Sequence, residues 1–208
     1  LLKSILISVI TAVVATTTIG QSLPFIFFKS SPNIGSVYAG QKSSLNISDI
    51  AIISKEITVK ILGASNPGSG VIVNKKNDRY TVLTAWHVIK DNRPHEEVGI
   101  FTSDGKEHLW ESKNLVRIKE VDLALLTFKS KNAYKVAQIG NSRSLASGDK
   151  VFVSGFPIPT YSAPVSFLRF LKGELIANAK VSIKDGYQLL YSNPTLPGMS
   201  GGSVLNSN

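Results

Sequence analysis

No cysteine occurs anywhere in the chain, which excludes a disulfide framework and a thiolate metal site. That absence leaves export open, because 208 residues with 43% hydrophobic side chains can bury a substantial core without covalent staples. Charge is sparse as well, at 18% of residues. The net charge is +9, yet the lysines are scattered and no arginine-rich run interleaves with aromatics. A nucleic-acid footprint is therefore excluded, and a general attraction to acidic surfaces is what remains. Histidines number only three, and no repeat, coiled coil or cluster of metal-ligating side chains stands out, so neither a metal nor a cofactor is expected. Sixteen glycines and nine prolines suit strands and turns better than a helical bundle.

Residues 1–39 stand apart from the rest. Lys3 precedes an apolar run from Ile5 to Ala15, and Ser36-Val37-Tyr38-Ala39 resembles a small-residue cleavage site before Gly40. A basic start, an apolar middle and a small-residue exit describe an export signal. The stretch is long for a signal, so membrane association through residues 5–28, as an uncleaved anchor, is the alternative, and a buried N-terminal strand a weaker one.

From residue 40 onward the patterning is that of strands and tight turns. Ile50–Ile53 predicts a short helix or the lead-in to a strand, and Ile57–Leu62 alternates as a strand does. Ser69–Val73 and Tyr80–Thr84 flank Asn77-Asp78 as a hairpin, and Val98–Thr102 and Glu107–Trp110 flank Asp104-Gly105 as another. Leu115–Ile118 and Val121–Phe128 predict two further strands, and residues 131–149 a linker. Lys150–Gly155 predicts a strand that Phe156-Pro157 ends. Phe167–Ala177, continuing into Ala179–Ile183, reads as one bent strand or two. Asp185-Gly186 then turns into Tyr187–Tyr191, and Gly201–Leu205 begins one more strand.

Three positions carry chemistry. His87 follows a strand end among apolar residues, whereas His95 and His108 lie in polar, loop-like surroundings and read as solvent-facing. Asp122 heads an apolar run, and a carboxylate there needs a partner. Ser200 sits among Gly198, Gly201 and Gly202, in a bend that can present a hydroxyl while backbone N–H groups converge. A serine hydroxyl attacks poorly unless a base removes its proton. Imidazole, titrating near neutrality, can take that proton and return it to a leaving amine, and a buried carboxylate fixes its tautomer.

With those residues in hand, the sequence resembles the trypsin-like (chymotrypsin-fold) serine peptidases, in the bacterial secreted branch without disulfides. Thr84-Ala85-Trp86-His87 resembles that family's T-A-x-H motif, and Asp122-Leu123-Ala124-Leu125-Leu126 its aspartate motif. Gly198-Met199-Ser200-Gly201-Gly202 resembles its G-x-S-G-G motif, in the family's order, with 34 and 77 residues between the three positions. Ser69-Gly70-Val71-Ile72 resembles the hairpin such members carry before the histidine, and Tyr191–Pro197 the approach to the serine in cyanobacterial-type members. The resemblance implies an all-β fold of two antiparallel six-stranded barrels: the first over about 50–130, the second over 150–208 and truncated, with the active site in the cleft between them. It implies His87 as general base, Asp122 as its orienter, Ser200 as nucleophile, and the N–H groups of Gly198 and Ser200 as the oxyanion hole. Pro194 and Thr195 fall where the family places its substrate pocket, and Pro194 stands where lysine- and arginine-selecting members have a carboxylate.

Two departures accompany the match. Ser203 replaces the family's proline after G-x-S-G-G, and only eight residues follow Ser200. The expected function is a secreted or envelope endopeptidase acting on polypeptides through an acyl-enzyme. A peptidase-fold binding module without activity, and the protease part of a larger envelope quality-control protein, are the competing readings.

Overall fold

In the computed structural model of the chain, residues 11–14, 26–29, 45–63, 66–93, 96–179, 181 and 183–207 are described. Among these residues two seven-stranded sheets make up the architecture, with one long helix, α1 (Ile47–Ile57), between them. The first sheet contains β3 (Thr58–Leu62), β4 (Gly68–Lys76), β5 (Arg79–Thr84), β6 (Gly99–Phe101), β7 (Glu107–Leu109), β8 (Val116–Arg117) and β9 (Ala124–Lys129). Its order is β7-β6-β3-β4-β5-β9-β8, antiparallel throughout, and it curls so that β7 packs against β9.

The second sheet contains β1 (Thr11–Val14), β2 (Ile26–Lys29), β10 (Gln138–Ile139), β11 (Lys150–Gly155), β12 (Arg169–Asn178), β13 (Tyr187–Tyr191) and β14 (Ser203–Asn206). Its order is β1-β13-β12-β11-β14-β2-β10. The central pairs are antiparallel, whereas β1 joins β13 and β2 joins β14 in parallel. The two sheets answer to the two antiparallel barrels expected, the second of which was expected to be truncated, and each carries seven strands among the described residues. In the second sheet, two of the seven come from the N-terminal stretch expected to serve as an export signal. The rest of that stretch, including Ser36–Ala39, lies outside the described residues.

Local chemistry explains most of the elements. Asn77 takes a positive φ of 58° at the β4–β5 turn, and Gly105 one of 80° at the β6–β7 turn. These are the residue types that tolerate left-handed backbone in tight hairpins. The β12 strand is a single strand with a register shift between Leu175 and Ala177, but it ends at Asn178, and Ala179, Val181 and Ile183 do not continue it as expected. Helix α1 is longer than its sequence suggested. Asn46 caps it by accepting from the Asp49 N–H at 2.9 Å, and Ile50, Ser54 and Ile57 recur on its buried face.

That face packs into a cluster shared by both sheets, in which Ile50 and Ile57 meet Val71 and Leu83 from the first and Phe152 and Leu205 from the second. Ser54 also hydrogen-bonds Ser154 of β11, and Thr58 Oγ1 lies 3.1 Å from Ser203 Oγ of β14. The sheets are therefore held by an apolar seam with the Thr58–Ser203 contact across it, and the Ser54–Ser154 contact ties α1 to β11. His108 is not solvent-facing: its ring stacks on Phe128 at 4.7 Å, and Nε2 lies 2.9 Å from the Tyr134 hydroxyl. The polar residues around it in sequence gave no sign that β7 turns this side chain onto the core. His95 is outside the described residues.

Candidate active site

His87 lies in a one-turn helix, α2 (Trp86–Ile89), that begins where β5 ends. A turn this short leaves its first backbone N–H groups without intrahelical partners. Asp122 satisfies one of them: its Oδ1 accepts the His87 amide at 2.8 Å, while its Oδ2 lies 2.7 Å from His87 Nδ1. One carboxylate therefore grips both the backbone and the ring of the same residue. An ionised carboxylate can only accept, so Nδ1 carries the proton and Nε2 is left as the acceptor. The imidazole side chain is 33% exposed and the carboxylate 12%, so the pair is sheltered but open on the imidazole side.

Asp122 precedes β9, and its own N–H donates to the Asp185 carbonyl at 3.1 Å. Asp185 occupies a turn with φ 61°, which leads directly into Tyr187. The Tyr187 hydroxyl donates to Asp122 Oδ2 at 3.0 Å, a contact no sequence motif announced. Burial pushes the Asp122 carboxyl up, but hydrogen bonds from the His87 ring and amide and from Tyr187 outweigh it and hold the group below the ordinary carboxylate range.

The Ser200 loop is anchored on both sides. Met199 is fully buried among Val151, Val153 and Val204 of the second sheet. Toward the first sheet, the Ser200 carbonyl accepts from the Ser69 N–H at 2.8 Å. Gly201 has φ +80°, and a Cβ there would lie 2.3 Å from the Ser69 carbonyl oxygen, 2.4 Å from Thr84 Oγ1 and 2.8 Å from the Ala85 nitrogen. Only glycine lets the loop settle this closely onto the two residues that precede the His87 turn. Ser200 is 3% exposed. Among the described residues, His87 is hydrogen-bonded to Asp122 and not to Ser200. Contacts of that kind often tighten only when substrate is bound.

Gly198 has φ +91° and is buried. The carbonyls on either side of its Cα are both engaged: Pro197 O accepts from the Ile158 N–H at 2.9 Å, and Gly198 O from Ser69 Oγ at 3.0 Å. Of the two residues expected at the substrate pocket, Thr195 is buried and Pro194 is exposed. A groove of about 250 Å³ lies elsewhere, lined by Gly68, Phe156 and Ile158 but not by Pro194 or Thr195. No cluster of three or more metal-ligating side chains occurs among the described residues.

The model of the trypsin-like peptidase domain matches residues 68–208, about two thirds of the chain and all of this site. The chain belongs to the trypsin-like peptidase family. It is 30% identical over 145 residues to the "Serine protease Do-like HtrA" of Lactobacillus helveticus, covering 67% of this chain and 33% of that protein. It is 29% identical over 144 residues to the "Serine protease Do-like HtrB" of Bacillus subtilis (strain 168), covering 67% of this chain and 30% of that one. The chain thus spans about a third of the length of the curated relatives it matches. The crystal structure of Deg5 shares the fold with a TM-score of 0.58 at 16% identity, over 77% of this chain and 78% of that one. The all-β, two-sheet architecture expected from the motifs is therefore that of the trypsin-like peptidase family. No helix among the described residues is long and apolar enough to cross a membrane.

Proposed function

We propose that the chain is a serine endopeptidase that cleaves polypeptides through an acyl-enzyme intermediate. The observation that carries this reading is the grip of Asp122 on both the ring and the amide of His87, beside a glycine loop docked against the same turn.

In this mechanism Ser200 Oγ attacks the scissile carbonyl carbon while His87 Nε2 takes its proton. Asp122 keeps the Nδ1–H tautomer in place and stabilises the imidazolium that results. The carbonyl oxygen becomes an oxyanion, and the N–H groups of Gly198 and Ser200 donate to it. Collapse expels the leaving amine, which receives the proton from Nε2, and leaves an ester on Ser200. Water then repeats the sequence: His87 removes a proton from the water, the second oxyanion collapses, and Ser200 is released with its proton restored.

Pro194 and Thr195 flank the side chain on the acyl side, and the absence of a carboxylate at Pro194 disfavours a strict preference for lysine or arginine. A location outside the cytoplasm or in the envelope is the reading supported by Lys3, the apolar run after it and Ser36–Ala39, whereas the pairing of β1 and β2 from the same stretch with β13 and β14 speaks against removal of residues 1–39.

A serine-directed fluorophosphonate tests the core of the proposal. The chain should label stoichiometrically, and Ser200→Ala, folded to the same melting temperature within a few degrees, should not label. Equal labelling of the variant, or none of a folded wild type, would overturn the assignment.

A further inference from the structure

The hairpin residue Ser69 matched a motif but received no role from it. Its surroundings give it one. Ser69 lies in β4 of the first sheet and is fully buried, yet every polar atom it carries has a partner. Its carbonyl accepts from Thr84 Oγ1 at 2.7 Å. Its N–H donates to Ser200 O at 2.8 Å. Its hydroxyl accepts from the Phe156 N–H at 2.8 Å and faces Gly198 O at 3.0 Å. Since Phe156 supplies the proton in the first of these hydroxyl contacts, the single hydroxyl proton of Ser69 goes to Gly198 O.

One first-sheet residue, through its side chain and its amide, therefore holds the Gly198–Met199 and Ser200–Gly201 peptides, on either side of the Met199–Ser200 peptide that carries the Ser200 N–H. The consequence follows from peptide planarity, because in a trans peptide the carbonyl of one residue is coplanar with the N–H of the next and points opposite to it. Ile158 pins the peptide before Gly198 through Pro197 O, and Ser69 Oγ pins the peptide after it. The Gly198 N–H shares its plane with Pro197 O and is aimed by the Ile158 bond, whereas the Ser200 N–H shares its plane with Met199 O, which accepts from the Gly202 N–H at 3.0 Å, and that plane lies between the two that Ser69 holds. Removing the hydroxyl leaves the buried Gly198 carbonyl and the half-buried Phe156 N–H without their partner. Rotating the peptide after Gly198 is the accessible way to regain one.

We infer that Ser69 is a positioning residue for the oxyanion hole, holding from the first sheet the Gly198–Met199 and Ser200–Gly201 peptides, which bracket the Met199–Ser200 peptide and so keep the Ser200 N–H aimed at the developing oxyanion. The inference rests on the endopeptidase reading above. Because the nucleophile, base and acyl-side pocket are untouched by a change at Ser69, such a change should act on the transition state and spare ground-state binding.

The test is a kinetic comparison of the full chain with Ser69→Ala, Ser69→Cys and Ser54→Ala on a peptide amide substrate, with a peptide aldehyde as tetrahedral-adduct inhibitor. Ser69→Ala should lower kcat by roughly 10- to 100-fold, below or at the loss typical of an oxyanion donor itself, and leave KM within about twofold. Affinity for the aldehyde should fall by the same factor as kcat. Ser69→Cys retains the side-chain volume with a weaker donor and should fall between wild type and alanine, which decides the matter should the alanine variant not fold. Ser54→Ala breaks another buried hydroxyl contact, between α1 and β11, without touching the Ser200 loop, and should lower stability while leaving kcat unchanged. A Ser69 variant with wild-type kcat, or one whose loss is matched by Ser54→Ala at equal stability, would overturn the inference alone. A folded wild type without Ser200-dependent turnover would overturn the endopeptidase reading and this inference with it.

Discussion

At the scale of single residues, the chemistry gathers on one carboxylate. Asp122 receives three hydrogen bonds, two from His87 and one from the Tyr187 hydroxyl. The two His87 bonds are local in consequence, since they fix one side chain against its own helical turn. The Tyr187 bond reaches across from the second sheet and fixes the carboxylate itself. Tyr187 is nearly buried, so Tyr187→Phe keeps the ring packing and removes only the hydroxyl. A hydrogen bond to a charged group contributes about 1.5 kcal/mol or more, which corresponds to about a tenfold effect if it is fully expressed in the transition state. We expect kcat to fall by roughly 3- to 10-fold, with KM within about twofold and the melting temperature lowered only slightly. Steady-state kinetics beside a thermal melt would check this. A drop in stability with kcat intact would assign Tyr187 to packing alone.

Secondary elements show where sequence reasoning succeeds and where it stops. The β4–β5 and β6–β7 hairpins were legible because Asn77 and Gly105 meet a purely local demand for left-handed backbone. His87 and Asp122 were legible because each stands beside a short apolar run of distinctive pattern. Helix α1 was only half legible, because its isoleucines have modest helix propensity and its register depends on a face completed by both sheets. Tyr187 and Ser69 were not legible as site residues at all. Their partners lie 65 and 129 positions away in the chain, at Asp122 and Gly198, and no local pattern encodes such meetings. The loop at Gly201 lies between these cases: its glycine was visible, its reason was not. A methyl group there would need an unfavourable φ and would collide with backbone of β4 and with the start of the His87 turn. We therefore expect Gly201→Ala to cost about 2–4 kcal/mol, combining backbone strain and overpacking, and to abolish most turnover. Urea unfolding should show the midpoint shift. A variant of unchanged midpoint would mean that the loop does not press on the first sheet as described.

For the molecule as a whole, the two sheets divide their labour. The second sheet supplies the Ser200 loop and the hydroxyl that braces Asp122, whereas the first supplies His87, Asp122 and the clasp at Ser69. The first sheet also concentrates carboxylates whose ionised forms the folded state favours. Hydrogen bonding by Arg79 holds the Glu111 carboxyl down at about 2, with Thr127 and Lys129 assisting against burial. Burial pushes the Asp104 carboxyl up, but hydrogen bonds from Thr102, the Lys106 amide, Tyr134 and Asn132 bring it down to about 2. Both groups titrate higher in the unfolded chain, near 4. Folded-state values below unfolded ones mean that the unfolded chain binds protons first as pH falls. Their contribution to stability is therefore fully present above about pH 5 and is lost progressively from there down to about pH 2. The Arg79 side chain is 45% exposed, so solvent and salt screen its part of the effect. Melting temperatures taken from pH 7 to pH 2 should stay nearly level at first and then decline below about pH 5. Glu111→Gln should start from a lower plateau and decline less steeply, because one of the groups that takes up a proton on unfolding has been removed. An equally steep acid limb in the variant would show that Glu111 does not couple protonation to the stability of the first sheet.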